Sequence, residues 1–338
     1  MDGVTSSQFL NRAIRACVKQ GACETDLLDQ IGLNRLDLSQ PAARFPAHQL
    51  TRLFSATAIQ LKDPAIGLLT GLAFRPRNFS DRGYGLKFES SFAEILAATA
   101  KHQWLIQTIY ELQVERAPQR ARFKFQIGNQ NPEELRPMME ATLASYSVQA
   151  RALVGVHFPP FLEVGFQHAD PGYSAAYESM FGCEVRFDQA ETYLDIENAM
   201  LDWQLPGHNP EILKIVNDQF DEFGTMVEGD DDIVKHCYYA IQSMLEHSAP
   251  NLPELASAFN MAERTLRRRL EQSGTNFREI LERVRRDLCQ LYLLEGSRSI
   301  GEISELLGYS GHSVFTRAFS GWHGVPPKQD MLQRKKAA

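Results

Sequence analysis

Cysteine is scarce and carries no pattern. The five residues Cys17, Cys23, Cys183, Cys237 and Cys289 contain no Cys-x-x-Cys and no Cys/His group of zinc spacing. An odd, scattered set argues against a disulfide framework and against a zinc module. Reduced thiols in a cytosolic protein are the expectation. Long apolar runs are also missing. No stretch reaches the ~20 apolar residues of a membrane span. Met1-Asp2-Gly3 opens without the basic, then apolar, pattern of a leader. A cytoplasmic location without membrane contact is expected. Catalytic signatures are absent too: there is no Gly-x-Ser-x-Gly, no His-Glu-x-x-His and no Gly-x-x-x-x-Gly-Lys. His157 and His168 stand alone in strand or loop context, where a hydrogen-bonded structural histidine is the ordinary reading. Glu133 and Glu134 sit at a helix start, where the helix dipole accounts for them. No enzyme, no cofactor and no metal site is expected.

Positive charge is scarce overall but not evenly so. The 338 residues carry a net charge of −7. Residues 251–338 hold 14 Lys+Arg against 10 Asp+Glu, a net of +4, and the remainder holds 21 against 32, a net of −11. An acidic body with a basic end fits a sensing part tethered to a nucleic-acid binder. The length suits two or three domains, and 43% hydrophobic content is ample for a core.

The basic end contains two units of one design. In the first, Leu252, Leu255, Ala256 and Phe259 form the buried stripe of a short helix. A turn follows, then Ala262 to Leu270. In the second, Ile300, Ile303, Leu306 and Leu307 form the stripe. Gly308 ends that helix, and Gly311 to Phe319 follows. Leu266 and Leu270 are four apart and share one helix face, as do Phe315 and Phe319. Packing those pairs inward turns Arg264, Arg267 and Arg268 outward in the first unit. It turns His312, Ser313, Thr316 and Arg317 outward in the second. Guanidinium forks match guanine edges and phosphate oxygens. A short helix, a turn and a second helix with such a face is the build of a helix-turn-helix, whose second helix enters the major groove. Phe277 to Leu294 reads as one long helix between the units, with Ile280, Leu281, Val284, Leu288 and Leu291 facing inward.

Residues about 250–331 resemble the DNA-binding domain of AraC/XylS-type transcription regulators. The resemblance rests on Arg264-Thr265-Leu266, Arg268, Phe277-Arg278, the Val284-Arg285 region, Ile300-Gly301-Glu302-Ile303, Leu307-Gly308-Tyr309, Phe315-Thr316-Arg317-Ala318-Phe319 and Gly324-Val325-Pro326-Pro327. Three positions depart from the family pattern. Ala262 stands where a capping Ser is usual, Gly311 where an Asp-like residue is common, and Asp330-Met331 where the family closes with Tyr-Arg.

The acidic part reads as α+β. Helices are predicted over Gln8–Lys19, Glu24–Ile31, Pro46–Leu61 and Pro64–Phe74, so the N-terminal quarter is read as all helical. A basic loop runs over 75–83. Ser91 is expected to cap a helix reaching Ile106. Ile109–Ala117 and Arg120–Ile127 alternate around Pro118-Gln119, as a hairpin does. Glu133–Val154 is a long helix. Leu162–His168, Glu184–Phe187 and Thr192–Ile196 read as short strands, with a helix over Tyr173–Phe181. The sum is a small, mostly antiparallel sheet backed by helices. Glu211–Phe223 and Asp231–His247 are amphipathic helices joined at Gly229 to Asp232.

This part resembles the "arabinose-binding" effector domain of ornithine-regulator-like members of the same family. The residues concerned are Gly67, Gly71, Gly83-Tyr84-Gly85, Ser91-Phe92-Ala93-Glu94, His168-Ala169-Asp170-Pro171, Tyr177, Phe181-Gly182-Cys183, Val185-Arg186-Phe187, Leu201 and Leu205-Pro206. Such domains are associated with diverse effectors, so arabinose does not follow. Tyr84, Trp104, Tyr110 and Tyr146 are aromatic residues that could wall a pocket, but core packing is the simpler role. No effector-binding residue is assigned.

The expected division is an effector-binding and dimerising domain, 1–247, with an interdomain helix at about 230–247. An all-α double helix-turn-helix domain, 248–338, follows. The expected partners are double-stranded DNA, a small-molecule effector and a second copy of the chain, with RNA polymerase as a further candidate. The expected function is effector-controlled regulation of transcription. Two rivals are a constitutive DNA binder whose N-terminal domain only dimerises, and a catalytic domain fused to a DNA binder. The Arg334-Lys335-Lys336 tail is read as a disordered extension.

Overall fold

A computed structural model describes residues 3–35, 37–40, 42–73, 85–154, 161–228, 232–245 and 249–331. The basic loop 75–83, Tyr84, His157, most of the 229–232 joint and the Arg334–Lys336 tail lie outside them. The chain forms two compact units that divide between Leu213 and Lys214.

The first unit opens with β1 (Val4–Ser6), α1 (Ser7–Lys19), α2 (Glu24–Ile31), β2 (Arg44–Pro46), α3 (Ala47–Leu61) and α4 (Ile66–Ala73). Ser6 starts α1 by accepting from the Phe9 amide at 3.1 Å. The N-terminal quarter is not all helical: β1 and β2 pair antiparallel, with Thr5 opposite Phe45. Three-residue strands are too short to show an alternation, so no pattern announced them.

Next come α5 (Phe92–Ile106), β3 (Glu111–Arg116), β4 (Arg120–Gln126), α6 (Pro132–Val154), β5 (Glu163–Gly165), α7 (Ser174–Phe181), β6 (Glu184–Arg186) and β7 (Thr192–Glu197). Ser91 Oγ accepts from the Glu94 amide at 3.3 Å and caps α5 as expected. The hairpin is present, closed by Ala117 N donating to Arg120 O at 2.8 Å around Pro118-Gln119. The sheet order is β3-β4-β7-β5-β6, antiparallel except for the parallel β5–β6 pair. Leu112, Ala121, Phe123, Phe125, Val164, Leu194 and Ile196 are buried on its inner face. Phe92 of α5 meets Phe123 edge-on at 6.4 Å, and Tyr146 of α6 meets Phe125 at 5.3 Å. Tyr110 packs on the same Phe125 at 5.4 Å. Tyr110 and Tyr146 therefore serve the core, while Trp104 is partly exposed.

The outer face carries paired charge. Asp195 is fully buried beneath Arg122, which holds it through Nε at 2.8 Å and Nη2 at 2.7 Å. That grip pushes the Arg122 pKa still higher. Lys124 bridges Glu115 and Glu191 at 2.7 and 2.9 Å. Glycine matters where α4 crosses α6. A Cβ at Gly71 would stand 2.5 Å from that of Ala144, so only glycine allows this approach.

The second unit is helical: most of α8 (Pro210–Val227), then α9 (Ile233–Leu245), α10 (Leu252–Ala258), α11 (Glu263–Gln272), α12 (Phe277–Glu295), α13 (Ile300–Leu306) and α14 (His312–His323). Its start falls earlier along the chain than the boundary expected near 247. The reason is α9, whose Tyr238 hydroxyl donates to Asp287 of α12 at 2.9 Å. Arg283 of α12 lies 5.2 Å over the Tyr238 ring. Cys237, Ile241 and Leu245 on the same helix are buried. The helix read as lying between domains thus packs onto the long helix of the second unit.

Candidate nucleic-acid interface

Among the described residues, α9, α10, α12 and α13 of the second unit have side-chain caps, Asp232 capping α9 through the Val234 amide at 2.8 Å. Asn251 caps α10 through the Glu254 amide at 2.9 Å. Asn276 caps α12 through the Arg278 and Glu279 amides at 3.0 and 3.1 Å. Ser299 and Glu302 form a reciprocal capping box at the start of α13. Each helix-turn-helix turn contains one left-handed residue, Asn260 with φ 52° and Gly308 with φ 65°. Asn260 is tolerable there because short polar side chains visit this region more readily than others. Gly308 is readable from the sequence as a helix stop, whereas Asn260 carries no such local signal.

Leu266 and Leu270 of α11 are buried, and Arg264, Arg267 and Arg268 are exposed with Arg269 beside them. On α14, Phe315 and Phe319 are buried. His312, Ser313 and Arg317 are exposed, and Thr316 is half-buried. None of Arg264, Arg267, Arg268 and Arg317 has an acidic partner in an ion pair among the described residues; Arg283 and Arg298 do. His312 Nδ1 lies 3.4 Å from Thr316 Oγ1, one turn along, which steadies both side chains on one face. Neither α11 nor α14 has a side-chain cap, since Ala262 and Gly311 stand at those positions.

The long helix α12 carries the two units. Ile280, Val284, Leu288 and Leu291 are buried, as the spacing predicted, and Leu281 is half-buried. Arg285 joins α12 to the second turn. Its Nε donates to Leu307 O and its Nη2 to Gly308 O, both at 2.8 Å. The guanidinium lies 4.3 Å over the Tyr309 ring. Burial lowers the Arg285 pKa, with Tyr309 opposing the shift. Gly308 is closely surrounded: an added Cβ would meet Leu245 Cδ2 at 3.1 Å.

Residues 21–205 match the family model described as the arabinose-binding domain of AraC transcription regulators, N-terminal. Residues 255–332 match a helix-turn-helix domain. The first match alone spans more than half of the chain.

The chain belongs to the AraC family of transcription regulators.

This AraC-family regulator is 24% identical over 311 residues to the ornithine utilization regulator of Pseudomonas aeruginosa, covering 91% of this chain and 90% of that one. It is 24% identical over 328 residues to the regulator VirS of Mycobacterium tuberculosis, covering 90% and 93%. Over 75 residues, 22% of this chain and 28% of the relative, it is 45% identical to the transcriptional activator CsvR of Escherichia coli. The solved structure of the transcriptional regulator CdpR from Pseudomonas aeruginosa aligns at a TM-score of 0.45 and 20% identity, covering 96% of this chain and 98% of that one. These relatives are regulators, and the AraC-family chain is a DNA-binding transcription regulator, not an enzyme.

Among the described residues, no helix is long and apolar enough to cross a membrane, and no group of His, Cys, Asp or Glu could hold a metal ion. His168 is buried, with Nδ1 2.9 Å from Ala169 O, and burial lowers its pKa. One residue on the outward face escaped the sequence reading. Val314 is 43% exposed on α14, beside Ser313. An apolar residue there reads as core until the inward pair Phe315 and Phe319 is fixed.

Proposed function

We propose that this regulator reads DNA with two helices of one polypeptide under the control of a small molecule bound in the first unit. Arg264, Arg267 and Arg268 of α11 would read one major-groove segment. His312, Ser313, Thr316 and Arg317 of α14 would read the next, ~34 Å along the duplex. Val314 would add an apolar contact of the kind that thymine methyls accept. The observation that carries this reading is the repeated arrangement: two short helices, each with an inward apolar pair and an outward face rich in exposed Arg or in His, Ser and Thr. The DNA-binding module is proposed to need α9, whose buried side chains complete its core. The first unit would bind the effector and a second copy of the chain, and the bound regulator would contact RNA polymerase.

The effector must bind one arrangement of the protein more tightly than another, or it regulates nothing. Basic amino acids head the ligand panel, because one relative is named for ornithine utilization. In vitro selection of duplexes from a random library, followed by footprinting, tests the DNA side. Two protected segments about one helical turn apart are expected. Enrichment of no sequence would refute it. A thermal-shift screen tests the effector side: a stabilising compound should also change the affinity for the selected duplex. A stabilising compound without that change leaves a constitutive DNA binder.

A further inference from the structure

Glu140 is fully buried on α6, where that helix meets α4 and α7. Its Oε1 accepts the Tyr177 hydroxyl at 2.5 Å and lies 2.6 Å from the Tyr173 hydroxyl. Tyr173 Oη is also 3.0 Å from the Pro64 carbonyl, just before α4. Among the described residues, Glu140 Oε2 has no hydrogen-bond partner. It is covered by the Gly67 backbone, where a Cβ would collide with it. This corner is closed by main chain rather than open to a ligand.

The protons can be counted. A phenol has one, so Tyr173 donates either to Pro64 or to Glu140, never to both. With Glu140 ionised, both phenols donate to Oε1 and the Pro64 carbonyl loses Tyr173. With Glu140 neutral, its own O–H on Oε1 donates to Tyr173 Oη. Tyr173 then donates to Pro64, and Tyr177 donates to the carboxyl oxygen. We propose that Glu140 is a proton-operated latch in the first unit: holding a proton it ties α7 to the foot of α4 through Tyr173, and losing it, it withdraws Tyr173 from Pro64.

Burial outweighs the surrounding groups, of which the two phenol hydrogen bonds and Arg136 favour the carboxylate, and holds a proton near neutral pH. On α6 itself, Arg136 favours the carboxylate, and Asp63 beside Pro64 opposes it. From α7 and its N-cap come the phenols of Tyr177 and Tyr173, whose own pKa values burial raises, so they stay protonated, while Glu178 of the same helix is exposed. From α4 come Gly67 and Gly71, which carry no charge. His168 lies behind Tyr177, ring centroids 6.2 Å apart, and burial favours its neutral form. Burial is the dominant effect on Glu140 and pushes it from 4.5 to about 7. The sign follows. The fold favours the neutral acid, so this contribution to stability is whole below about 4.5 and lost as the pH rises through about 7.

The test uses the full chain at about pH 5.5 and about pH 8, on either side of the titration. Infrared difference spectra should show a protonated-carboxyl band in the wild type that fades through about pH 7 and is missing in Glu140→Gln. Amide hydrogen exchange in α4 and α7, taken relative to Glu140→Gln at each pH, should rise several-fold at the higher pH. The unfolding midpoint of the first unit should fall by about 5 °C over the same range in the wild type and stay level in Glu140→Gln. Tyr173→Phe keeps the carboxyl and removes the hydroxyl that switches. It should retain the infrared band and lose the pH-dependent exchange, and it decides the matter if Glu140→Gln does not fold. A wild type without the band at the lower pH, or Tyr173→Phe with an exchange profile equal to the wild type's, overturns the latch.

Discussion

Arg285→Ala should weaken the second half of the DNA module more than any surface substitution nearby. In the folded chain this guanidinium makes two hydrogen bonds, to Leu307 O and Gly308 O, and covers Tyr309. Both carbonyls lie at the end of α13, where the helix has no intrahelical donor to offer them. Hydrogen bonds to a charged group contribute about 1.5–3 kcal/mol each, and the aromatic contact about 0.5–1 kcal/mol. The site is only partly buried, so water recovers some of this, and contacts made by one side chain do not add. The expected loss is about 2–4 kcal/mol, or 10 °C or more in the unfolding midpoint of a unit of this size. Arg285→Lys keeps a charge but offers no fork, and should recover about half. The turn held by Arg285 aims α14 and not α11. Gel-shift titrations should therefore show the variant losing discrimination at the base pairs proposed to be read by His312, Ser313, Thr316 and Arg317, while those proposed to be read from α11 are still distinguished. If Arg285→Ala melts within about 2 °C of the wild type, or loses discrimination equally at both segments, the reasoning fails.

Arg268→Ala and Arg317→Ala should each cost about 1–3 kcal/mol of specific binding and relax the sequence preference; titration against matched and scrambled duplexes reads both. Leu288→Pro places a helix breaker at a buried position of α12. It should remove about 3 kcal/mol or more and abolish DNA binding, while circular dichroism shows the first unit still folded. Gly308→Ala forces a side chain into a left-handed turn, against Leu245. Thermal melts should show a loss of about 1–2 kcal/mol from the backbone alone, with more from the contact.

The DNA module was legible because its signals are local. Leu266 and Leu270 stand out in a polar segment, as do Phe315 and Phe319 in theirs, and a four-residue spacing has one structural meaning. The Ser91 cap and the Pro118-Gln119 turn were readable for the same reason. Other features depend on where a face goes, which periodicity does not say. The apolar stripe of α9, with Cys237, Ile241 and Leu245, was visible, but not that it packs on α12. Glu140 and Asp195 were invisible as buried groups, since a lone acid in an amphipathic element reads as a solvated position. Their burial follows from partners distant in sequence: Tyr173 and Tyr177 for the one, Arg120 and Arg122 for the other. The parallel β5–β6 pair is likewise a consequence of α7 returning the chain, not of any strand's own pattern.

The order of strands in the first unit has a kinetic meaning. β4 lies between β3, its hairpin partner, and β7, whose Glu197 pairs with Arg120 only after all of α6, β5, α7 and β6 has been looped out. Closing such a loop must precede any gain from the pairing, which slows folding. The second unit is built from helices, many of which meet near neighbours in the chain, α10 with α11 and α13 with α14. Refolding from denaturant should accordingly resolve into a fast helical phase and a slower one in which the sheet assembles. The part that grips DNA closes before the part proposed to govern it, although it lies later along the chain.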